Sequence, residues 1–133
     1  MAYDVLIVDD DKEVLDVLEM YCENLVCFRN IIKANDGVMA SGKIRNQEFC
    51  LILLDIHMPK KSGTDLVKEI SNTGVSSLNS VIIVSGELDK KVITEVMSRG
   101  VKHFMVKPFD EEGFKAKVKQ VLSKTAPEIA SQI

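Results

Sequence analysis

Four short apolar runs in this chain each stop at a side chain able to do ionic or nucleophilic chemistry. Val5-Leu6-Ile7-Val8 gives way to Asp9-Asp10-Asp11, and Cys50-Leu51-Ile52-Leu53-Leu54 gives way to Asp55. Val81-Ile82-Ile83-Val84 ends at Ser85-Gly86, and Phe104-Met105-Val106 ends at Lys107-Pro108. Continuous runs of this length suit strands buried on both faces of a parallel sheet. In such a sheet the ligand site lies beyond the carboxyl ends of the strands, near the point where the strand order reverses. Asp9, Asp10, Asp55, Ser85 and Lys107 should therefore share one edge. Two carboxylates about 4 Å apart repel by roughly 4 kcal/mol at an effective dielectric near 20, so three together call for a cation. Oxygen donors of this kind suit Mg²⁺, which binds through one or two carboxylates and keeps its other positions for water and phosphate oxygens. With an amine and a hydroxyl beside it, the acid cluster suits a phosphoryl group.

The segments between the runs supply the helices. Val14, Leu18, Tyr21, Cys22 and Leu25 recur at helical spacing, and Asp11 is placed to cap that helix. A less cleanly patterned strand is predicted over Phe28 to Ala34, followed by the turn signal Asn35-Asp36-Gly37 and a short helix from about Val38 to Arg45. Gly42 weakens that helix by about 1 kcal/mol relative to Ala. Leu66, Val67 and Ile70 mark a third helix, beyond a loop with Pro59 and Gly63, and it runs out in the polar stretch Ser71 to Ser80. Asp89 opens a fourth helix closed by Gly100, and Asp110 caps a fifth carrying Phe114, Val118, Val121 and Leu122. Strand and helix alternate throughout, which predicts an α/β doubly wound parallel sheet with helices on both faces. Residues 1–124 form one domain in this reading. Residues 125–133 lack a periodic pattern and are expected to be a tail or linker stub.

The composition narrows the function classes. A chain of 133 residues with 46% apolar and 28% charged residues is an ordinary globular domain. Its net charge of −3 argues against direct nucleic-acid binding, which normally shows as a basic excess. No apolar run approaches the roughly 18 residues of a membrane span, and the N-terminus lacks the layout of a signal peptide, so a cytoplasmic protein without a membrane partner is expected. Cys22, Cys27 and Cys50 form no metal-ligand pattern and are expected to be reduced, buried thiols.

The four motifs, in this order and each at a strand end, resemble the receiver domain of response regulators, with the single-domain chemotaxis type as the nearest parallel. The matching pieces are Leu6 to Asp11, Leu53 to Pro59 with Gly63, Ile83 to Gly86, and Phe104 to Phe109, and the likeness covers about residues 3 to 124. The resemblance implies a flavodoxin-like, five-stranded sheet of order 2-1-3-4-5. It implies that Asp55 is the nucleophile that takes a phosphoryl group from a phosphohistidine on a sensor histidine kinase or phosphotransfer protein. Asp10, Asp55 and the backbone carbonyl of His57 would hold Mg²⁺, with Asp9 acting mainly through bound water. Lys107, Ser85 and backbone N–H groups would receive the phosphoryl oxygens. Ser85 and Phe104 would form the switch, and the signal would leave through the fourth helix, fifth strand and fifth helix toward a target protein or output domain. The Lys107-Pro108 peptide is a candidate for the cis form.

Ser85 stands where Thr is commoner in that family, Gly86 where Ala is, Phe104 where Tyr often is, and Cys50 where an Asp often begins the strand. Asp11 is read as a helix cap, not a ligand. His57 is not read as a base, although it and Glu87 flank the path of an attacking water and could tune dephosphorylation. His103 is read as a surface residue at a strand start and Lys90-Lys91 as a solvated helix face. A haloacid-dehalogenase-like phosphatase would want a second Asp two places after the nucleophile, where this chain has His57. A degenerate, phosphate-independent receiver is disfavoured because all five site residues are present. No Gly-rich loop follows the first strand, which argues against a nucleotide-binding domain.

Overall fold

In the computed structural model, which describes residues 3–58, 60–86 and 89–133, alternate residues of each central strand serve different helix layers. The strands are β1 (Asp4–Val8), β2 (Asn30–Ala34), β3 (Leu51–Leu54), β4 (Val81–Ser85) and β5 (His103–Val106). They pair in parallel in the order β2-β1-β3-β4-β5, the order implied by the resemblance. The helices are α1 (Lys12–Leu25), α2 (Gly37–Asn46), α3 (Gly63–Thr73), α4 (Lys90–Arg99), α5 (Glu111–Thr125) and a final turn, α6 (Pro127–Ala130). Val5, Ile7, Leu51, Leu53, Ile82 and Val84 pack against α1 and α5. Leu6, Val8, Ile52, Leu54, Val81 and Ile83 pack against α2, α3 and α4. The pleat sends successive side chains to opposite faces, and both faces are covered, so the central strands are apolar apart from Asp4 at the start of β1 and Ser85 at the end of β4.

Each helix entry from α1 to α5 is a short polar side chain. Asp11, Asp36, Ser62, Asp89 and Asp110 accept from the backbone N–H of Glu13, Met39, Asp65, Lys91 and Gly113. Such a cap contributes about 1 kcal/mol. Asp11 is thus the cap it was expected to be. Gly37, expected in a turn, is the first residue of α2, with Asp36 as the cap.

β2 begins at Asn30, two residues later than expected, because Val26 takes a left-handed conformation (φ 55°) and Phe28 packs into the α1–α5 cluster. The polar stretch Ser71 to Ser80 holds the end of α3 and a single 3-10 turn, Leu78–Ser80. Ser76 there accepts a hydrogen bond from Phe49 N–H at 2.9 Å. Lys90 and Lys91 are exposed in the first turn of α4, as expected, whereas His103 is half-buried at the start of β5.

Residues 125–133, expected as a tail or linker stub, pack onto the domain. Ala126, Ile129 and Ala130 are buried in the α1–α5 cluster, Thr125 donates to the Cys50 carbonyl at 3.1 Å, and Tyr3 donates to Glu128 at 2.9 Å. A four-residue helix is too short to show a period, so its apolar positions were invisible as a pattern.

The three cysteines are free and buried. Burial pushes the Cys50 thiol from the ordinary 9.0 up to about 12 and raises Cys22 and Cys27 as well. The folded state therefore holds the Cys50 proton to higher pH than the unfolded chain does. Its contribution is complete below about pH 9 and is lost as pH rises toward about 12. Urea melts at stepped pH should show stability falling over that window, with a shallower fall in Cys50→Ala. A second pair of variants separates helix propensity from packing. Gly42 has open space where a Cβ would sit, so Gly42→Ala should raise unfolding free energy by about 1 kcal/mol. Ile129→Ala should lower it by about 2–4 kcal/mol in the same urea titration.

Candidate functional site

The strand registers determine which strand ends lie together. Val8 pairs with Leu54, so Asp9 and Asp55 leave adjacent strands side by side. The Asp55 N–H donates to the Val8 carbonyl at 3.0 Å, extending the ladder by one bond past the strands. Ser85 pairs with Val106, and the Lys107 N–H donates to the Ser85 carbonyl at 2.9 Å. Carboxylate oxygens of Asp9, Asp10 and Asp55 lie within 4.8 Å of one another. Asp9 and Asp55 are buried, and Asp10 is exposed at the rim.

Lys107 Nζ donates to Asp9 Oδ2 at 2.7 Å and stands 3.7 Å from Asp55 Oδ2. Asp9 Oδ1 accepts the Asp11 N–H at 2.9 Å, so both Asp9 oxygens are engaged within the protein. Among the described residues, Asp55 Oδ1 accepts one long bond, 3.3 Å, from the His57 N–H. Burial, and next the charge of Asp9, raise the Asp55 carboxyl above its ordinary value, against the pull of Lys107 and the His57 N–H. Burial works against the Lys107 ammonium, but the hydrogen bond to Asp9 and the charges of Asp55, Asp9 and Asp11 outweigh it and raise its pKa. One ammonium thus faces three clustered acids. The edge is short of positive charge, and the shortfall falls on Asp55.

Two loops hold the groups in place. After Asp55 the chain turns and closes with a Gly63 N–H to Ile56 carbonyl bond at 2.9 Å. A Cβ on Gly63 would sit 2.4 Å from the Asp55 carbonyl oxygen, so only glycine lets α3 start directly under the site residue. After Lys107 the cis Lys107-Pro108 peptide leads to Phe109, whose ring lies 6.2 Å from Tyr21 of α1 and 6.4 Å from Phe114 of α5. Phe109 thereby anchors the loop that carries the ammonium.

The five residues expected at one edge are all at strand ends of that edge, with Asp9, Asp10 and Asp55 clustered and Lys107 in reach of Asp9 and Asp55. Ser85 is buried at the end of β4. The His57 side chain is exposed, and Phe104 is half-buried against the α2–α4 cluster. Glu87 and Pro59 lie outside the described residues. Sequence reasoning missed the direct Asp9–Lys107 ion pair. Ninety-eight residues separate its partners, and no local pattern announces it. It also missed Gly37, Lys61, Ser41 and Glu69, which brace the loop after Asp55.

The response regulator receiver domain family matches residues 5–119. The chain is 34% identical over 116 residues to the probable C4-dicarboxylate response regulator DctR of Halalkalibacterium halodurans, covering 87% of this chain and 50% of that protein. It is 31% identical over 121 residues to the transcriptional regulatory protein CpxR of Escherichia coli, covering 91% of this chain and 50% of that protein. The chain thus spans about half the length of these relatives. A CheY-like receiver domain protein from Methanospirillum hungatei superposes with a TM-score of 0.84 at 25% identity, over 96% of this chain and 99% of that one. The receiver domain of the sensor histidine kinase PA1611 from Pseudomonas aeruginosa has the same fold, with a TM-score of 0.79 at 17% identity over 93% of this chain and 100% of that one. It holds a magnesium ion coordinated in its active-site cleft. Sheet order, edge chemistry and family match agree, and this chain belongs to the response regulator receiver domain family of two-component signalling.

Proposed function

We propose that Asp55 is the phosphoacceptor of this receiver and that it works with Mg²⁺ held at the same edge. The observation that carries the reading is the convergence of Asp9, Asp10 and Asp55 within 4.8 Å, with the Lys107 ammonium 3.7 Å from Asp55. The donor set fits a hard divalent cation, since it is all oxygen and carries more negative charge than Lys107 can offset. Asp10, Asp55 and the His57 carbonyl would hold the ion directly. Asp9, with both oxygens already taken by Lys107 and the Asp11 N–H, suits an indirect role through water. Bound there, Mg²⁺ would offset the negative charge of the phosphoryl oxygens as they meet the carboxylates.

The chain's own groups do the rest. A carboxylate oxygen of Asp55 forms the bond to phosphorus, and the phosphorus–nitrogen bond of a phosphohistidine breaks, leaving its electron pair on the imidazole. Asp55 Oδ1 is tethered weakly and is available to reorient. Lys107 can pass from Asp55 to a phosphoryl oxygen while keeping Asp9. The Ser85 hydroxyl, one strand over, and nearby backbone N–H groups would take the remaining oxygens.

A sensor histidine kinase or phosphotransfer protein would supply the phosphoryl group, and a target protein or output domain would read α4, β5 and α5. A nearly complete switch needs about 5.5 kcal/mol of preference for the active state. One charge-assisted hydrogen bond supplies about 1.5–3 kcal/mol, so Ser85 must act together with Lys107 or backbone donors. Phe104 is half-buried against the α2–α4 cluster, and lacking a hydroxyl it would switch by packing alone. In this reading the chain catalyses only its own phosphorylation and dephosphorylation, in the cytoplasm. Among the described residues no helix is long and apolar enough to cross a membrane.

Intact mass after incubation with acetyl phosphate and Mg²⁺ tests the assignment. Wild type should gain the mass of one phosphoryl group, and Asp55→Ala should gain none. Labelling of Asp55→Ala, or continuous hydrolysis of an external phosphate ester, would contradict it.

A further inference from the structure

The loop that follows Asp55 is fastened on the side facing α2 by contacts that no site residue makes. Lys61 Nζ lies 2.7 Å from Glu69 Oε2 of α3 and 3.3 Å from the Ser41 hydroxyl of α2. Ser41 donates to Glu69 Oε1 at 2.6 Å, and Arg45 approaches the same oxygen at 3.7 Å. Glu69 Oε2 is buried and has Lys61 as its close cationic partner without a well-aligned hydrogen bond. Burial opposes the charge on Glu69, yet Lys61, Ser41 and Arg45 together hold its carboxyl below the ordinary value.

The backbone of the loop is seated as well. A Cβ on Gly37, at the start of α2, would fall 1.9 Å from the Lys61 carbonyl oxygen and 2.6 Å from its carbonyl carbon. The two backbones therefore touch where any side chain would part them. Lys60, with φ 69°, adds an ion pair to Asp36 at 3.3 Å. Isolated ion pairs on a surface contribute about 0–1 kcal/mol. Here two of the pairs, from Lys61 and Arg45, converge on Glu69, which also accepts from the buried Ser41 hydroxyl, and together they tie two helices to one loop. That loop also carries His57, whose N–H is bonded to Asp55 Oδ1. Its placement thus bears directly on the orientation of the Asp55 carboxylate.

We propose that Glu69, acting through Lys61 and Ser41, is a positioning residue that fixes the loop between β3 and α3 so that Asp55 and the His57 backbone present one oxygen set to a divalent cation. The claim rests on the reading of the site given under Proposed function. Glu69 touches no reacting atom. Its effect passes through the loop backbone, and outer-shell partners of this kind typically change metal affinity by about 10–100-fold when removed.

The test compares wild type with Glu69→Gln, Lys61→Met and Lys61→Arg. The readouts are Mg²⁺ affinity by titration calorimetry, hydrogen exchange of amides 56–58 and 60–63, and urea stability. Glu69→Gln and Lys61→Met should weaken Mg²⁺ binding by about tenfold and speed exchange in the loop, whereas Lys61→Arg, which keeps the cation, should stay near wild type. A purely structural role would lower urea stability and leave the affinity of the folded protein unchanged. If wild type binds Mg²⁺ and labels at Asp55 while both disruptive variants match its affinity within twofold, the positioning claim fails alone. If wild type binds no Mg²⁺ and takes no phosphoryl group, the site reading fails and the positioning claim falls with it.

Discussion

Repulsion among Asp9, Asp10 and Asp55 is the constraint on which the rest of this structure turns. A parallel sheet delivers all of its strand ends to one edge, and register makes Asp9 and Asp55 neighbours whatever their charges prefer. Fully buried apolar strands anchor both, so neither can relax away without disturbing the layers on each face. The fold thus supplies the energy that keeps like charges together. Lys107 offsets one acid well and a second one weakly, and burial together with the charge of Asp9 raises the Asp55 carboxyl. A site in that condition favours ligands that bring positive charge. In their presence it can accept the further negative charge of a phosphoryl group.

The surrounding structure reads as a set of devices that hold this arrangement. Gly63 allows α3 to begin against the Asp55 carbonyl, Gly37 allows α2 to touch the loop backbone at Lys61, and Phe109 fastens the Lys107 loop between α1 and α5. Each acts on backbone and so transmits to the site without entering it. The α1–α5 layer is completed by Ala126, Ile129 and Ala130, which places the end of the described chain under the same layer that anchors Phe109.

The sheet and most of the site were legible because burial on both faces leaves no ambiguity of pattern. Val5 to Val8 and Leu51 to Leu54 have the length and composition of central strands, and the residues ending them stand out by contrast. The edge strand β2 was harder, since it is partly exposed and its apolar pattern is diluted. Helix entries were readable where an Asp preceded an apolar period. Gly37 was misread because a turn glycine and a close-approach glycine look alike in sequence. Contacts between distant residues, such as Lys107 with Asp9 or Ser41 with Glu69, leave no local signature, and they decide how charge is shared at the edge and how the loop is held.

Thermal unfolding of wild type and Asp10→Asn, each with and without Mg²⁺, tests the charge argument most directly. Asp10 is exposed and makes no side-chain hydrogen bond or ion pair among the described residues, so its replacement removes charge with little loss of packing. The account requires that Mg²⁺ raise the wild-type Tm, that Asp10→Asn be more stable than wild type without metal, and that its gain from Mg²⁺ be much smaller. An unchanged wild-type Tm at millimolar Mg²⁺, together with a metal-free Asp10→Asn no more stable than wild type, would contradict it.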